Sequence, residues 1–192
     1  MLFMKRFFTL AIALLNCLVL SAQDHLEFKA IPIDGTTSSF VESLTKAGFK
    51  KIQQTPEGVV LSGTFTGKEC NVIVESSIIT KTPHSVYVLL SEESDWATIK
   101  NDYNTIKKGL TLKYGEPAKI KEEIRSPYKE GDGSAYMAFK GGYADWYSVY
   151  TTPLGEIDLY IREQGYSNLS VIIKYVDKAN EQKSIEELTN DL

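Results

Sequence analysis

The side chains that could carry out catalysis are few, and none stands in a recognised catalytic spacing. The chain contains two histidines, His25 and His84, and neither has a cysteine or a second histidine at the spacing of a zinc site. The sequence contains no G-x-S-x-G motif, no P-loop and no G-x-G-x-x-G motif. Asp145 and Asp158 could form a carboxylate pair for glycoside hydrolysis, but we expect a basic partner for each. We therefore expect no catalytic residue, no metal and no cofactor.

Tyrosine is the residue type whose distribution stands out. The chain has 11 tyrosines, and eight follow the second helical segment described below, at positions 128, 136, 143, 147, 150, 160, 166 and 175. Tyrosine is enriched at binding interfaces because it joins a rigid apolar ring to a polar tip. It is also a good strand former. A plain solvated sheet and a binding surface both fit this pattern.

The first 22 residues have the order of a secretory signal peptide. Lys5 and Arg6 precede the apolar stretch "FFTLAIALLNCLVL", and the small residues of "SAQ" follow it. We place cleavage after Ala22, with a retained membrane anchor as the alternative. Lipidation of Cys17 is not expected, because Asn16 precedes the cysteine and the apolar run continues beyond it. The sequence therefore predicts a secreted protein, periplasmic or at the cell surface, without a stable membrane span.

Removal of this segment leaves an acidic chain with a single cysteine, Cys70. The basic count falls from 21 to 19 against 25 acidic residues, because Lys5 and Arg6 are lost. Such a chain has no basic patch for nucleic acid. It cannot form an intramolecular disulfide, so an apolar core must hold it together.

The elements alternate in a regular order. Two amphipathic segments, "TTSSFVESLTKAG" and "SDWATIKNDYNTIKKGLTLKYGEP", predict helices, capped by Thr36 or Thr37 and by Ser94 or Asp95. Four runs with strand character follow each helix; one of them, residues 134–151, reads as a single long strand. We predict an α+β protein with a mostly antiparallel sheet and helices on one face. Its units are residues 23–94 and 95–177, followed by a tail or short helix over 178–192.

The two units align in polarity. Residues 69–75 match residues 156–162, and "SVYVLL" (85–90) matches "SVIIKY" (170–175). This self-similarity indicates a tandem repeat with an insertion in the second unit. On "HLEFKAIPIDGTTSSFVESLTKAGF" and "IIKYVDKAN…TNDL" the chain resembles small secreted proteins of Bacteroides-type bacteria. Its element order resembles the tandem fold of the β-lactamase inhibitor protein, which implies an eight-stranded sheet that grips a protein partner. Members of that family carry disulfides, which this chain cannot form.

The turn at Pro153-Leu154 sets the register of the last hairpins. Residues whose numbers sum to 307 then lie opposite each other, which directs Trp146 and Tyr150 to the core. Tyr147 and Tyr160 face outward, and Asp145 lies opposite Arg162 as an ion pair. A one-residue slip would place Asp145 and Tyr147 among isoleucines. The next hairpin places Asp158 opposite Lys174 and Tyr160 opposite Ile172.

These registers predict one binding surface on the sheet. Its residues are Tyr147, Tyr160 and Ile172 in a row, edged by Asp145, Arg162 and the Asp158–Lys174 pair, with Tyr87 from the first unit. In the first unit we expect Cys70 to be a buried thiol opposite Phe65. The sequence favours a non-catalytic binding protein for a protein or glycan partner. A hydrolase of unrecognised type acting in the envelope, and a structural envelope protein that binds its own copies, are the alternatives.

Overall fold

The computed structural model describes residues 24–190, so the predicted signal peptide lies outside the described residues. The helices within them are α1 (Thr37–Lys46), α2 (Trp96–Tyr114), α3 (Ala135–Lys140) and α4 (Lys178–Asn190). The first six strands are β1 (Glu27–Phe28), β2 (Ile31–Pro32), β3 (Lys50–Thr55), β4 (Gly58–Phe65), β5 (Lys68–Ser76) and β6 (Pro83–Leu90). The last four are β7 (Lys119–Ile124), β8 (Ala144–Thr152), β9 (Gly155–Gln164) and β10 (Asn168–Asp177).

Eight strands form one antiparallel sheet in the order β3-β4-β5-β6-β10-β9-β8-β7. β1 and β2 form a separate two-stranded ribbon. The predicted α+β class, with a mostly antiparallel sheet, is therefore confirmed. The last strands of the two halves, β6 and β10, pair at the centre, and the edges are the charged strands β3 and β7. Charged edge strands of this kind discourage pairing with other chains.

The apolar core lies between one face of the sheet and helices α1, α2 and α3. The inward side chains of the central strands join the apolar faces of the helices in one buried cluster. The β1–β2 ribbon completes it with Leu26, Phe28 and Ile33. Cys70 belongs to this cluster, as predicted, and burial raises the pKa of its thiol. A buried thiol in apolar surroundings is a poor nucleophile.

Local sequence explains the two long helices. Thr36 caps α1 in a capping box with Ser39, and Asp95 caps α2 by accepting the Thr98 N–H at 2.8 Å. Inside α2 the buried residues recur every three or four positions: Ile99, Asp102, Tyr103, Ile106 and Leu110. Both predicted helices are confirmed, and each cap is one of the two residues proposed for it.

Helix α3 contradicts the predicted long strand over residues 134–151. Only residues 144–152 form a strand, β8, and Ala135–Lys140 form one and a half helical turns. Glycines with positive φ lie on both sides, Gly133 at 81° and Gly142 at 74°, and these break the strand. The aromatic residues of this stretch favour a strand locally, but burial of Ala138 and Phe139 against β8 and β9 decides for the helix.

The N-terminal segment is fixed by a buried carboxyl group. Asp177, with 0 % of its surface exposed, accepts the Leu26 N–H at 2.7 Å and lies 3.0 Å from His25 Nδ1. It also accepts the Asn180 N–H at 3.0 Å, which caps α4. The buried Asn180 amide donates to the carbonyl of Ile33 at 2.8 Å. Both ends of the described chain therefore meet at one polar cluster.

The short helix predicted as one possibility for the C-terminal segment exists as α4. Ser184 and Glu187 have the spacing of a capping box but lie inside this helix, because Asp177 supplies the cap. Glu187 instead accepts the hydroxyl of Ser77 in the β5–β6 loop. Ile185 and Leu188 stay more than half exposed, so polar contacts, rather than this apolar side, hold the helix. Within residues 24–190, no helix combines the length and apolarity of a membrane span.

The hairpin registers agree with the prediction in β8–β9 and β9–β10. Tyr147 lies opposite Tyr160, Asp158 opposite Lys174, and Tyr160 opposite Ile172. In β4–β5 the predicted register is wrong by two residues: Cys70 lies opposite Gly63 rather than Phe65. The turn there is Thr66-Gly67, with φ of 51° and 80°, and positive φ at both positions suits a two-residue hairpin. A shift of two leaves every side chain on its predicted face.

Candidate binding face and the β8–β9 cleft

The side of the sheet opposite α1, α2 and α3, here called the outer face, carries a continuous row of side chains across all eight strands. From β7 to β3 the paired residues are Lys121, Tyr147, Tyr160, Ile172, Leu89, Asn71, Ser62 and Lys50. A second row, two residues along each strand, runs Lys119, Val149, Asp158, Lys174, Tyr87, Ile73, Val60 and Gln53. The middle of the first row is apolar and aromatic, whereas the second row carries Asp158 and Lys174 there, with Glu181 of α4 nearby, and lysines stand at the edges of the face.

The apolar residues of this face are half-buried, with one exception. Tyr147, Tyr160, Tyr87 and Leu89 each keep an intermediate fraction of their surface exposed. Ile172 is only 3 % exposed, which corrects its prediction as an open ligand-binding residue. It lies on the central strand β10 between Tyr160 and Leu89, and side chains on both neighbouring strands shield it. Ile172 supports the surface from below, and its neighbours are the residues that a partner can touch.

The predicted Asp145–Arg162 ion pair is wrong. The ladder between β8 and β9 stops at Tyr147–Tyr160, although β8 stays paired with β7 as far as Ala144 and β9 with β10 as far as Gln164. Asp145 is bonded instead to Lys121, at 2.7 Å, and to Arg125. These hydrogen bonds lower the pKa of Asp145. Among residues 24–190, Arg162 has no ion-pair partner within 4.0 Å.

A cleft opens where the two strands separate. This β8–β9 cleft begins between residues 144–146 of β8 and 161–163 of β9, continues along the outer face to Val149 and Asp158, and has a volume of about 440 Å³. Four of the predicted site residues line it: Asp145, Tyr147, Tyr160 and Arg162. Asp158 and Phe139 of α3 line it as well. Helix α3 contacts both strands beside the cleft. The corresponding strands of the first half, β4 and β5, stay paired through eight consecutive rungs.

A second hollow on the first half of the sheet was not predicted. It has a volume of about 560 Å³, and Leu89 and Asn71 line it with several hydroxyl-bearing residues. Nine of its fourteen lining residues are polar or charged, and none is aromatic. No sequence motif marks it, because its residues come from six different strands and two loops.

Tyr87 and Lys174 form a pair near the middle of the outer face. Lys174 Nζ lies 5.4 Å from the centroid of the Tyr87 ring, a cation–π distance. Burial, together with the neighbouring Glu75, raises the pKa of Tyr87 to about 12. Lys174 also lies opposite Asp158, as predicted, but the described residues include no ion pair between them within 4.0 Å. Burial, and then Glu156, raise the pKa of Asp158.

Replacing Asp158 by asparagine is expected to stabilise the protein at pH 7. The raised pKa means that the folded state holds the Asp158 proton more tightly than the unfolded state does. The protonated carboxyl group therefore adds to the free energy of unfolding, and this stabilisation is lost as pH rises from 3.8 through the folded pKa. Because the side chain is partly solvated, the free energy of unfolding of D158N relative to wild type should rise by a few tenths to about 1 kcal/mol between pH 3 and pH 7. Urea unfolding of both proteins across this range measures it.

Asp132 is the matched control, with the opposite sign. Hydrogen bonds from Ser134 lower the pKa of Asp132, so its contribution to stability is present above the unfolded pKa and lost as pH falls. The free energy of unfolding of D132N relative to wild type should therefore fall between pH 3 and pH 7. If D158N and D132N change in the same direction, burial is not what sets the pKa of Asp158.

The remaining candidate chemistry is not assembled into one site. His84 lies beside Ser85, 3.0 Å from its hydroxyl, and burial lowers the pKa of the imidazole. His25 is bonded to Asp177. Among the residues that the structure describes, no group of three or more His, Cys, Asp or Glu side chains is placed to hold a metal ion. Comparisons with protein-family models, curated proteins and solved structures gave no match to this chain.

Proposed function

We propose that the protein is a secreted, non-catalytic binding module that holds a protein partner against the outer face of its sheet. The observation that carries this proposal is the unbroken run Tyr147, Tyr160, Ile172 and Leu89 across four strands on the face opposite α1–α3, in which all but Ile172 are half-buried. Apolar surface of this kind, rimmed by charged residues, is typical of partner interfaces. The proposed secretion depends on residues 1–22, whose pattern is that of a signal peptide.

A protein partner fits this surface better than a glycan does. Sugars bind by stacking on the open faces of aromatic rings, whereas Tyr147 and Tyr160 are half-buried beside each other on neighbouring strands. The mixture of tyrosine with Leu89, Ile73 and Val60 resembles the apolar centre of a protein interface. Eight strands at about 4.8 Å spacing span more than 30 Å, which is the width of a standard protein–protein contact.

The proposal includes a duplicated origin for the two halves. The central ladder places Val88 opposite Ile173, and these residues are equivalent in the alignment of "SVYVLL" with "SVIIKY". A twofold relation between two copies requires such an equivalent pair to lie opposite on its axis. The sheet order, with β6 and β10 at the centre and β3 and β7 at the edges, has the same symmetry. The outer face would then have grown by joining two four-stranded faces into one.

The test is capture of a partner by wild type and by the double variant Tyr147→Ala/Tyr160→Ala. The captured protein is then purified, and its affinity for each variant is measured by calorimetry. Loss of two central tyrosines from an interface should weaken binding by a hundredfold or more, since truncated aromatic anchors cost about 2 kcal/mol or more each.

Tyr166→Ala is the matched control. Tyr166 lies in the β9–β10 turn with 99 % of its surface exposed, so its loss should leave affinity unchanged. Equal affinity of wild type and the double variant for every captured protein would refute the proposal. Loss of binding in Tyr166→Ala as well would show that tyrosine is needed away from the outer face.

A further inference from the structure

We infer that the β8–β9 cleft receives an extended segment of the protein partner and that Arg162 binds a carboxylate group on that segment. The inference rests on the proposed function, because it names the part of the partner that enters the outer face. Three observations carry it: unpaired strand edges, an unpaired guanidinium group, and a hollow of suitable size between them.

The strand edges on both sides of the cleft have backbone groups without ladder partners. Residues 144–146 and 161–163 are in strand conformation, and each stretch pairs with its outer neighbour, β7 or β10. They do not pair with each other. Because strand N–H and C=O groups point alternately to the two sides, half of those in each stretch face the cleft. An extended peptide can satisfy such groups by strand addition.

The charge at the cleft favours a carboxylate. Asp145, Glu123, Lys121 and Arg125 form a set of two acids and two bases joined by ion pairs, so their charges offset one another. Arg162 stands apart from this set on β9, exposed at the cleft, and Asp158, the other acid of the outer face that lines the cleft, is four residues away along the same strand. A guanidinium group recognises a carboxylate with two parallel hydrogen bonds. Glu163 also lines the cleft, but as the next residue along the strand it points to the opposite face.

The hollow has room for a short segment and for no more than that. Its volume of about 440 Å³ lies within the range of about 300–1,000 Å³ that is usual for small-ligand sites. Tyr147 and Tyr160 line it where the ladder resumes, Val149 and Asp158 line it beyond them, and Phe139 lines it from α3. A segment that enters here would place its apolar groups against these rings and its carboxylate near Arg162.

The experiment is a titration of ¹⁵N-labelled protein, followed by NMR, with three pentapeptides of the form acetyl-Ala-Thr-X-Thr-Ala. The first has X as glutamate and an amidated C-terminus. The second differs only in having glutamine. The third has glutamine and a free terminal carboxylate. We expect saturable shifts of the backbone amides of residues 144–146 and 161–163, with at least tenfold tighter binding of the glutamate peptide than of the amidated glutamine peptide.

Arg162→Gln should remove that tenfold preference, and Lys108→Gln, which removes an exposed cation on α2, should leave it intact. The backbone amide of Leu26, bonded to the buried Asp177 at 2.7 Å, serves as an unmoved reference. Tight binding of the third peptide would identify a terminal carboxylate as the group bound, and weak binding would identify an acidic side chain. If neither carboxylate peptide binds wild type more tightly than the amidated glutamine peptide, the inference is wrong.

The two hypotheses fail separately. If partner capture depends on Tyr147 and Tyr160 while no peptide shifts the cleft amides, the outer face binds a partner but the cleft receives no acidic segment. If the glutamate peptide binds at the cleft while partner affinity is unaffected by Tyr147→Ala/Tyr160→Ala, the cleft assignment stands and the proposed function fails.

Discussion

Replacing Asp177 by alanine is expected to lower the free energy of unfolding by about 3 to 5 kcal/mol, the range found when one member of a buried polar or charged pair is removed. Asp177 is fully buried and satisfies the backbone N–H of Leu26 and of Asn180 and the His25 ring. Alanine would leave the buried backbone N–H groups of Leu26 and Asn180 without this acceptor. Urea unfolding at pH 7 measures the loss.

Asp34→Ala is the control for this prediction. Asp34 also approaches His25, at 3.6 Å, but about half of its side chain is exposed. An exposed pair of this kind contributes about 1 kcal/mol or less. Hydrogen exchange adds a local readout, because D177A should speed the exchange of the Leu26 and Ile33 amides. Similar stability losses in the two variants would mean that Asp177 is not the residue that holds the N-terminal segment.

Gly155→Ala is expected to destabilise the protein by about 3 kcal/mol, at the upper end of the cost of overpacking. Gly155 begins β9 opposite Asp177, and a Cβ atom built on it would lie 1.9 Å from the carbonyl oxygen of Val176. The obstructing atom belongs to the backbone of the central strand β10, so it cannot swing away as a side chain can. The strand pair would have to separate locally, which would also disturb the Asp177 cluster.

Gly109→Ala provides a substitution of the same chemistry with the opposite expected sign. Gly109 lies inside α2, and nothing would stand within 4 Å of its added Cβ atom. Alanine there should stabilise the protein by about 0.5 to 1 kcal/mol through its higher helix propensity. Thermal unfolding of both variants checks the pair. A neutral Gly155→Ala would show that β9 and β10 can move apart at low cost.

Much of the fold could be predicted because the sequence signals are local. The three- and four-residue spacing in α2 and its Asp95 cap identify that helix directly. Turn chemistry at Pro153-Leu154 fixes the register that sends Trp146 inward and Tyr147 outward, and the structure confirms both positions. The error of two residues in β4–β5 did not matter for the faces, since alternation along a strand has a period of two.

The parts that could not be predicted depend on contacts between distant residues. Helix α3 is too short for a periodic pattern, and its packing against β8 and β9 follows from the assembled sheet. The separation of β8 from β9 could not be predicted, because the expected Asp145–Arg162 ion pair does not form. Asp145 instead binds Lys121 of β7 and Arg125, which follows β7. The shielding of Ile172 likewise depends on which side chains flank it on β6 and β9.

The Asp177 cluster also sets the order in which the chain can fold. Leu26 lies 151 residues before Asp177, and Ile33 lies 147 residues before Asn180. A chain that emerges from its N-terminus therefore cannot complete the contacts of Leu26 and Ile33 with Asp177 and Asn180 until nearly the whole length has been delivered. Contacts of such long range slow folding and prolong the exposure of apolar segments. If the protein is exported as predicted, late formation of the Asp177 contacts would keep the chain incompletely folded until its last strand has crossed the membrane.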